Sequence, residues 1–116
     1  MLYKINPCPA PRMTRSDKWK TRARVMRYRA FRDDVKRLGI TVQDGDNITF
    51  IMPMAESWSE KKKAAHDGKA HRQKPDLDNL LKALLDAIYE DDCHISALYI
   101  EKIWGREGSI SILRCI

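Results

Sequence analysis

One stretch of this chain constrains its fold more than any other. Leu77, Leu80, Leu81, Leu84, Leu85 and Ile88 fall at i, i+3, i+4, i+7, i+8 and i+11, the spacing of a single broad apolar stripe on an α-helix. A helix striped in this way needs a second layer to cover it, so the chain must build a packed core. At 116 residues that core belongs to one domain, since independent domains usually hold about 100–200 residues. No run approaches the roughly 18 apolar residues of a membrane span. The N-terminal residues Met1 to Pro7 lack the apolar core of a signal peptide. Three cysteines, Cys8, Cys93 and Cys115, make an odd set without CxxC spacing, which reads as reduced thiols and a cytoplasmic location.

The remaining elements follow from local pattern. Residues 2–6 read as a short strand, stopped by three prolines between Pro7 and Pro11, and Arg12 to Ser16 as a basic connector. From about Asp17 to Leu38, the residues Val25, Tyr28, Phe31, Val35 and Leu38 form one helical face, with Gly39 placed to close it. Asp44 to Asn47 is turn chemistry, and Ile48 to Met52 a strand ending at Pro53. Ser57-Trp58-Ser59-Glu60 fits a capping box for a short helix closed by Gly68. The segment from about 61 to 74, with six basic groups and two histidines, reads as a mobile basic loop. Residues 97–104 and 109–113 read as two strands of an antiparallel hairpin. The order β-α-β-α-α-β-β predicts an α+β domain over residues 1–116, a small and mostly antiparallel sheet with helices packed on it.

Charge separates the chain into halves. The net charge is +6, yet residues 1–37 carry twelve basic against three acidic groups, and residues 38–116 carry ten against thirteen. A basic half beside an acidic one suggests a polyanion-binding surface next to something that needs carboxylates. An ordinary mixed surface is the plain alternative.

The acidic half is densest around Lys74-Pro75-Asp76-Leu77-Asp78-Asn79, with Lys82 one turn on and Asp91-Asp92 beyond the helix. Asp78, Lys82 and Asp86 share one flank of the helix. Each residue has a structural explanation: Asp76 as an N-cap, Asp78 as a complement to the helix dipole, Asp78–Lys82 as a surface pair. Those explanations leave open why a helix start would crowd two carboxylates amid Lys and Arg. Carboxylates within about 4 Å repel unless a cation lies between them. Oxygen-only ligands on a short rigid element suit Mg²⁺, or Mn²⁺ in its place.

With these residues in view, the chain resembles the RusA-type crossover junction endodeoxyribonucleases, in particular their phage and prophage branch. The resemblance lies in Asp76-Leu77-Asp78-Asn79-Leu80, Lys82, Asp86-Ala87 and Asp91-Asp92. It extends to Pro11-Arg12-Met13-Thr14-Arg15-Ser16-Asp17-Lys18-Trp19, Tyr28-Arg29-Ala30-Phe31-Arg32, Ser57-Trp58-Ser59 and Lys74-Pro75. The resemblance implies a Mg²⁺-dependent homodimer that binds four-way (Holliday) DNA junctions and resolves them by paired nicks in recombination and repair. By position, Asp76, Asp78 and Asp92 would be the catalytic, metal-binding carboxylates, with Asp91 the alternative to Asp92. Lys82 would be the catalytic lysine. Arg12, Arg15, Lys20, Arg24, Arg27, Lys61, Lys62, Lys63, Lys69, Arg72 and Lys74 are the expected DNA contacts.

Other constellations say less. His66 and His71 lie five apart and Cys93-His94 are adjacent, spacings that do not suit structural zinc. The two histidines are expected to reach phosphates or solvent; Trp19, Trp58 and Trp104 read as core, with Trp58, beside the basic segment, the one to test as a base-stacking platform. A non-catalytic basic DNA-binding module is the competing function, separable by metal-dependent nicking of a four-way junction. A protein that binds an acidic partner and no nucleic acid would lack salt-sensitive DNA affinity.

Overall fold

The computed structural model describes residues 1–11 and 21–114. In chain order the elements are β1 (Leu2–Tyr3), α1 (Thr21–Leu38), β2 (Asn47–Pro53), α2 (Glu60–His66), α3 (Leu77–Ile88), β3 (Tyr99–Gly105) and β4 (Ser109–Leu113). This is the expected α+β order. Residues 12–20, with the expected start of the first helix and the contacts Arg12, Arg15 and Lys20, lie outside the described residues, as does Cys115.

The striped helix α3 is the centre of the fold. Leu80 and Leu84 are fully buried, Leu85 nearly so, and Ala83 and Ala87 extend the buried surface around the cylinder. Small residues there let α3 meet both α1 and the sheet. Burying each large side chain contributes about 1.5–3 kcal/mol, and the burial is shared with Phe31 and Val35 of α1 and Ile48, Phe50 and Ile110 of the sheet. Helix α1 ends as its sequence predicts. Gly39 takes φ +66°, its N–H bonds to the Lys36 carbonyl, and the Ile40 N–H reaches back to Val35. Those two bonds satisfy carbonyls that the last turn leaves unpaired.

The sheet runs in the order β1-β4-β2-β3. β1 pairs antiparallel with β4 and β4 with β2, while β2 and β3 are parallel. Two of the three pairings are therefore antiparallel, but the expected hairpin between 97–104 and 109–113 does not form. β2 lies between its two arms. The residues from Arg106 to Gly108 pass over the end of β2, where the Met54 N–H bonds to the Gly105 carbonyl at 3.1 Å. Gly105 makes the crossing possible, because a Cβ there would sit 2.2 Å from Cγ2 of Ile51. The central place suits β2, whose Ile48, Phe50 and Met52 are all buried against the helices. The opposite face exposes Leu2, Tyr99 and Leu113.

Smaller differences are local. The first strand is two residues long: Leu2 and Tyr3 are in register with β4, and Met1 ahead of them exchanges bonds with Ile112. The cap of α2 is Ser59, not Ser57, and its hydroxyl accepts the Lys62 N–H at 3.2 Å. Within the segment expected to be a mobile loop, residues 60–66 are helical. Residues 68–71 then run along β3, through bonds from Gly68 N–H to Trp104 O, Trp104 N–H to Lys69 O and His71 N–H to Lys102 O, each 2.9 Å.

Candidate active site and nucleic-acid interface

Asp76 and Asp78 stand at the N-terminal end of α3, both exposed. Asp76 occupies the N-cap position with extended backbone, yet its side chain makes no cap hydrogen bond. Its carbonyl accepts the Leu80 N–H at 3.2 Å, so the helix starts without using the carboxylate. Among the described residues, neither Asp78 nor Lys82 enters an ion pair. The capping and surface-pair explanations thus account for the positions of these residues but not for their side chains. The positive end of the helix macrodipole favours negative charge here, which eases the proximity of two carboxylates.

A cavity of about 750 Å³ opens beside this end of the helix. Pro7, Pro9, Pro11 and Phe31 line it on the apolar side, while Arg24, Arg27, Lys74, Asp34, Asp76 and Asn79 line the polar side. The proline segment is held against α3 by a bond from the Ala10 N–H to the Asn79 carbonyl. Three expected DNA contacts, Arg24, Arg27 and Lys74, therefore share one cavity with Asp76. Cys8 lies there too, and burial pushes its thiol above the usual range, although the Arg27 charge opposes this. That environment disfavours the reactive thiolate.

The C-terminal end of α3 is built differently. The Asp91 carboxylate accepts the Cys93 N–H at 2.9 Å, which holds its pKa below the usual carboxylate range. Asp92 is exposed in the same turn, and its carbonyl accepts the Ile95 N–H. Asp44 ties the following residues to the sheet by accepting from the Ser96 N–H, Ser96 hydroxyl and Ala97 N–H at 2.7–2.8 Å. These bonds lower the Asp44 pKa as well. Helix α3 separates Asp92 from Asp76 and Asp78 by about 18 Å of axis at 1.5 Å per residue. Among the described residues, no three Asp, Glu, His or Cys side chains come together as a metal-binding group.

The other expected contacts lie on or after α2. Lys61, Lys62, Lys69 and Arg72 are exposed and Lys63 is half-buried. The Lys62 ammonium sits 4.0 Å above the Trp58 ring, which also packs at 4.9 Å on both His66 and Trp104. Trp58 thereby fastens α2 to the end of β3. His66 faces the same cluster, its Nδ1–H donating to the Lys62 carbonyl at 2.8 Å. His71 does not reach solvent, as its sequence context had suggested, but is buried with its ring 4.2 Å from that of Trp104. Burial and the neighbouring Lys102 charge push its pKa down. Lys102, whose Nζ donates to the carbonyls of Gln73 and Pro75 just ahead of Asp76, is a residue the sequence pattern did not single out. The one signal for it was a lysine in a strand position where alternation asks for an apolar side chain.

The fold and this site define a small α+β domain with exposed carboxylates at a helix start beside a basic cavity, an arrangement suited to a metal-dependent nuclease. The chain matches the endodeoxyribonuclease RusA family over residues 4–113, and it belongs to that family. RusA proteins are endodeoxyribonucleases that resolve Holliday junctions, acting on branched DNA with a divalent metal. Membership therefore decides for the enzyme over the non-catalytic DNA-binding module. No curated protein matches the chain significantly. No helix among the described residues is long and apolar enough to cross a membrane.

Proposed function

We propose that this protein is a Mg²⁺-dependent resolvase that cuts four-way DNA junctions by paired nicks, in recombination and repair of cytoplasmic DNA. The observation that carries the reading is the N-terminal end of α3. Asp76 fills a cap position without making the cap bond, and it faces a cavity bordered by Arg24, Arg27 and Lys74. Two exposed carboxylates on a rigid helix start fit Mg²⁺, which keeps several waters and is commonly held by one or two carboxylates plus substrate phosphate. Mn²⁺ fits the same oxygen donors. Asp76 and Asp78 would hold the metal, which when bound would supply Lewis acidity toward the phosphodiester and help to activate water.

The chain's own residues do the rest. Arg24, Arg27 and Lys74 bind backbone phosphates at the cavity, and Lys61, Lys62, Lys63, Lys69 and Arg72 continue the grip beyond it. Arg12, Arg15 and Lys20 belong to the same basic half. Water attacks phosphorus in line, the bond to the 3′-oxygen breaks, and Lys82, one turn beyond Asp78, meets the charge on the departing oxygen. The products carry a 5′-phosphate and a 3′-hydroxyl.

Asp92 completes this site as a third carboxylate only if a second copy supplies it, because α3 keeps it away from Asp76 and Asp78 within one chain. A homodimer of this kind would carry two composite sites related by a two-fold axis, matching the symmetry of a four-way junction.

The deciding experiment compares nicking of a synthetic four-way junction and a linear duplex, with Mg²⁺, with Mn²⁺ and with chelator. Metal-dependent cleavage confined to the junction is expected. Equal cleavage of both substrates, or cleavage in chelator, would overturn the proposal.

A further inference from the structure

The side chains of β3 that share register with the buried residues of β2 face the helices. Ile100 lies beside Ile48, Lys102 beside Phe50 and Trp104 beside Met52. Two of these three inward positions are apolar and the middle one is a lysine. Lys102 is half-buried, and a partly covered ammonium favours nearby acceptors. Lys102 finds two: its Nζ donates to the carbonyl of Gln73 at 2.5 Å and to that of Pro75 at 2.6 Å.

Both carbonyls belong to the strap that delivers the candidate carboxylates. Backbone pairing between this strap and β3 ends at His71, whose N–H bonds to the carbonyl of Lys102 itself. From there to Asp76 the chain is open, and Arg72, Gln73 and Lys74 are exposed. The two Lys102 bonds tie this stretch back to β3.

We infer that Lys102 is a positioning residue for the metal-binding end of α3, its ammonium clamping the strap one residue ahead of Asp76. The inference rests on the reading of Asp76 and Asp78 given above and adds a residue to it. Lys102 touches neither metal nor DNA. It acts by holding the backbone that presents the two carboxylates, as outer residues hold the ligands of other metal sites. The competing explanation is that an inward lysine guards the edge of the sheet, since residues 68–71 cover β3 only from Lys102 to Trp104. A guard would leave metal affinity alone.

The test measures Mn²⁺ binding to the full-length protein without DNA, by loss of the free-ion paramagnetic resonance signal. Lys102→Met should weaken Mn²⁺ binding about 10-fold while junction binding in chelator stays within about twofold. Lys102→Arg, which keeps a cationic donor, should recover most of the loss. Unchanged Mn²⁺ affinity in folded Lys102→Met would overturn the inference. Failure of Lys102→Met to fold would also overturn it, by assigning the lysine to the core. Asp78→Asn, measured alongside, separates the two levels of argument. If Asp78→Asn binds Mn²⁺ and nicks like wild type, the site reading itself falls. If Asp78→Asn is defective and Lys102→Met is not, only the role of Lys102 is lost.

Discussion

The two ends of α3 carry similar acidic pairs put to different uses. At the C-terminal end the Asp91 carboxylate is occupied by the chain's own Cys93 N–H. At the N-terminal end Asp76 holds the position in which a carboxylate usually caps the helix, and makes no cap bond. The first arrangement stabilises a turn, and the second leaves the Asp76 carboxylate unused by the helix it starts. Local density of acidic residues does not distinguish the two, because both read as clustered carboxylates. What distinguishes them is whether a backbone N–H lies close enough to take the charge.

The sharpest way to break this contrast is to neutralise each end in turn. Asp78→Asn is expected to reduce junction nicking by at least about 100-fold, the upper range even for residues behind a metal's direct ligands, with junction binding preserved. Asp91→Asn should leave nicking within about threefold, as its carboxylate serves its own turn. A dead Asp91→Asn beside an active Asp78→Asn would reverse the assignment of the two ends. Asp92 refines the comparison, since it belongs to the C-terminal end in one chain and to the N-terminal end only across a dimer. Asp78→Asn and Asp92→Asn, each inactive alone, should regain about a quarter of wild-type nicking when mixed, because half the dimers would then hold one intact composite site. No recovery in a mixture shown to exchange subunits would place Asp92 outside the site.

Reversing the charge of Arg24 and Arg27 should weaken junction binding. If both meet phosphates, the slope of log affinity against log salt should shrink by about 1.8. An unchanged slope would make them a solvated face.

The smallest effect concerns His71, behind the strap that leads to Asp76. Its lowered pKa means that the folded chain takes a proton less readily than the unfolded chain. Stability is therefore expected to fall as pH drops below about 6.5. The lowered carboxylates Asp44, Glu60 and Asp91 contribute only at lower pH, near and below their ordinary values of 3.8 to 4.5. Melting temperature between pH 7 and pH 5 should therefore decline in wild type and decline less in His71→Phe. Equal slopes would show that His71 charges without cost.

Much of this molecule was legible in the residues themselves. The stripe of α3, the face of α1 and its Gly39 terminus, and the paired carboxylates at a helix start are patterns of near neighbours. Hydrogen bonds and side-chain spacing within a few residues set them. The hairpin that did not form shows where local pattern stops. A four-residue connection between two strands is equally compatible with direct pairing and with a third strand between them. Burial of Ile48, Phe50 and Met52, far away in sequence, makes the choice. The non-capping carboxylate of Asp76, the distance of Asp92 and the grip of Lys102 on the strap are of the same kind. The sequence by itself determined which residues are candidates for metal and DNA, because charge and spacing are local properties. Only the tertiary structure decided which carboxylate caps its own turn and which does not, and what holds the strap, because hydrogen-bond partners of exposed strap and helix ends come from distant strands.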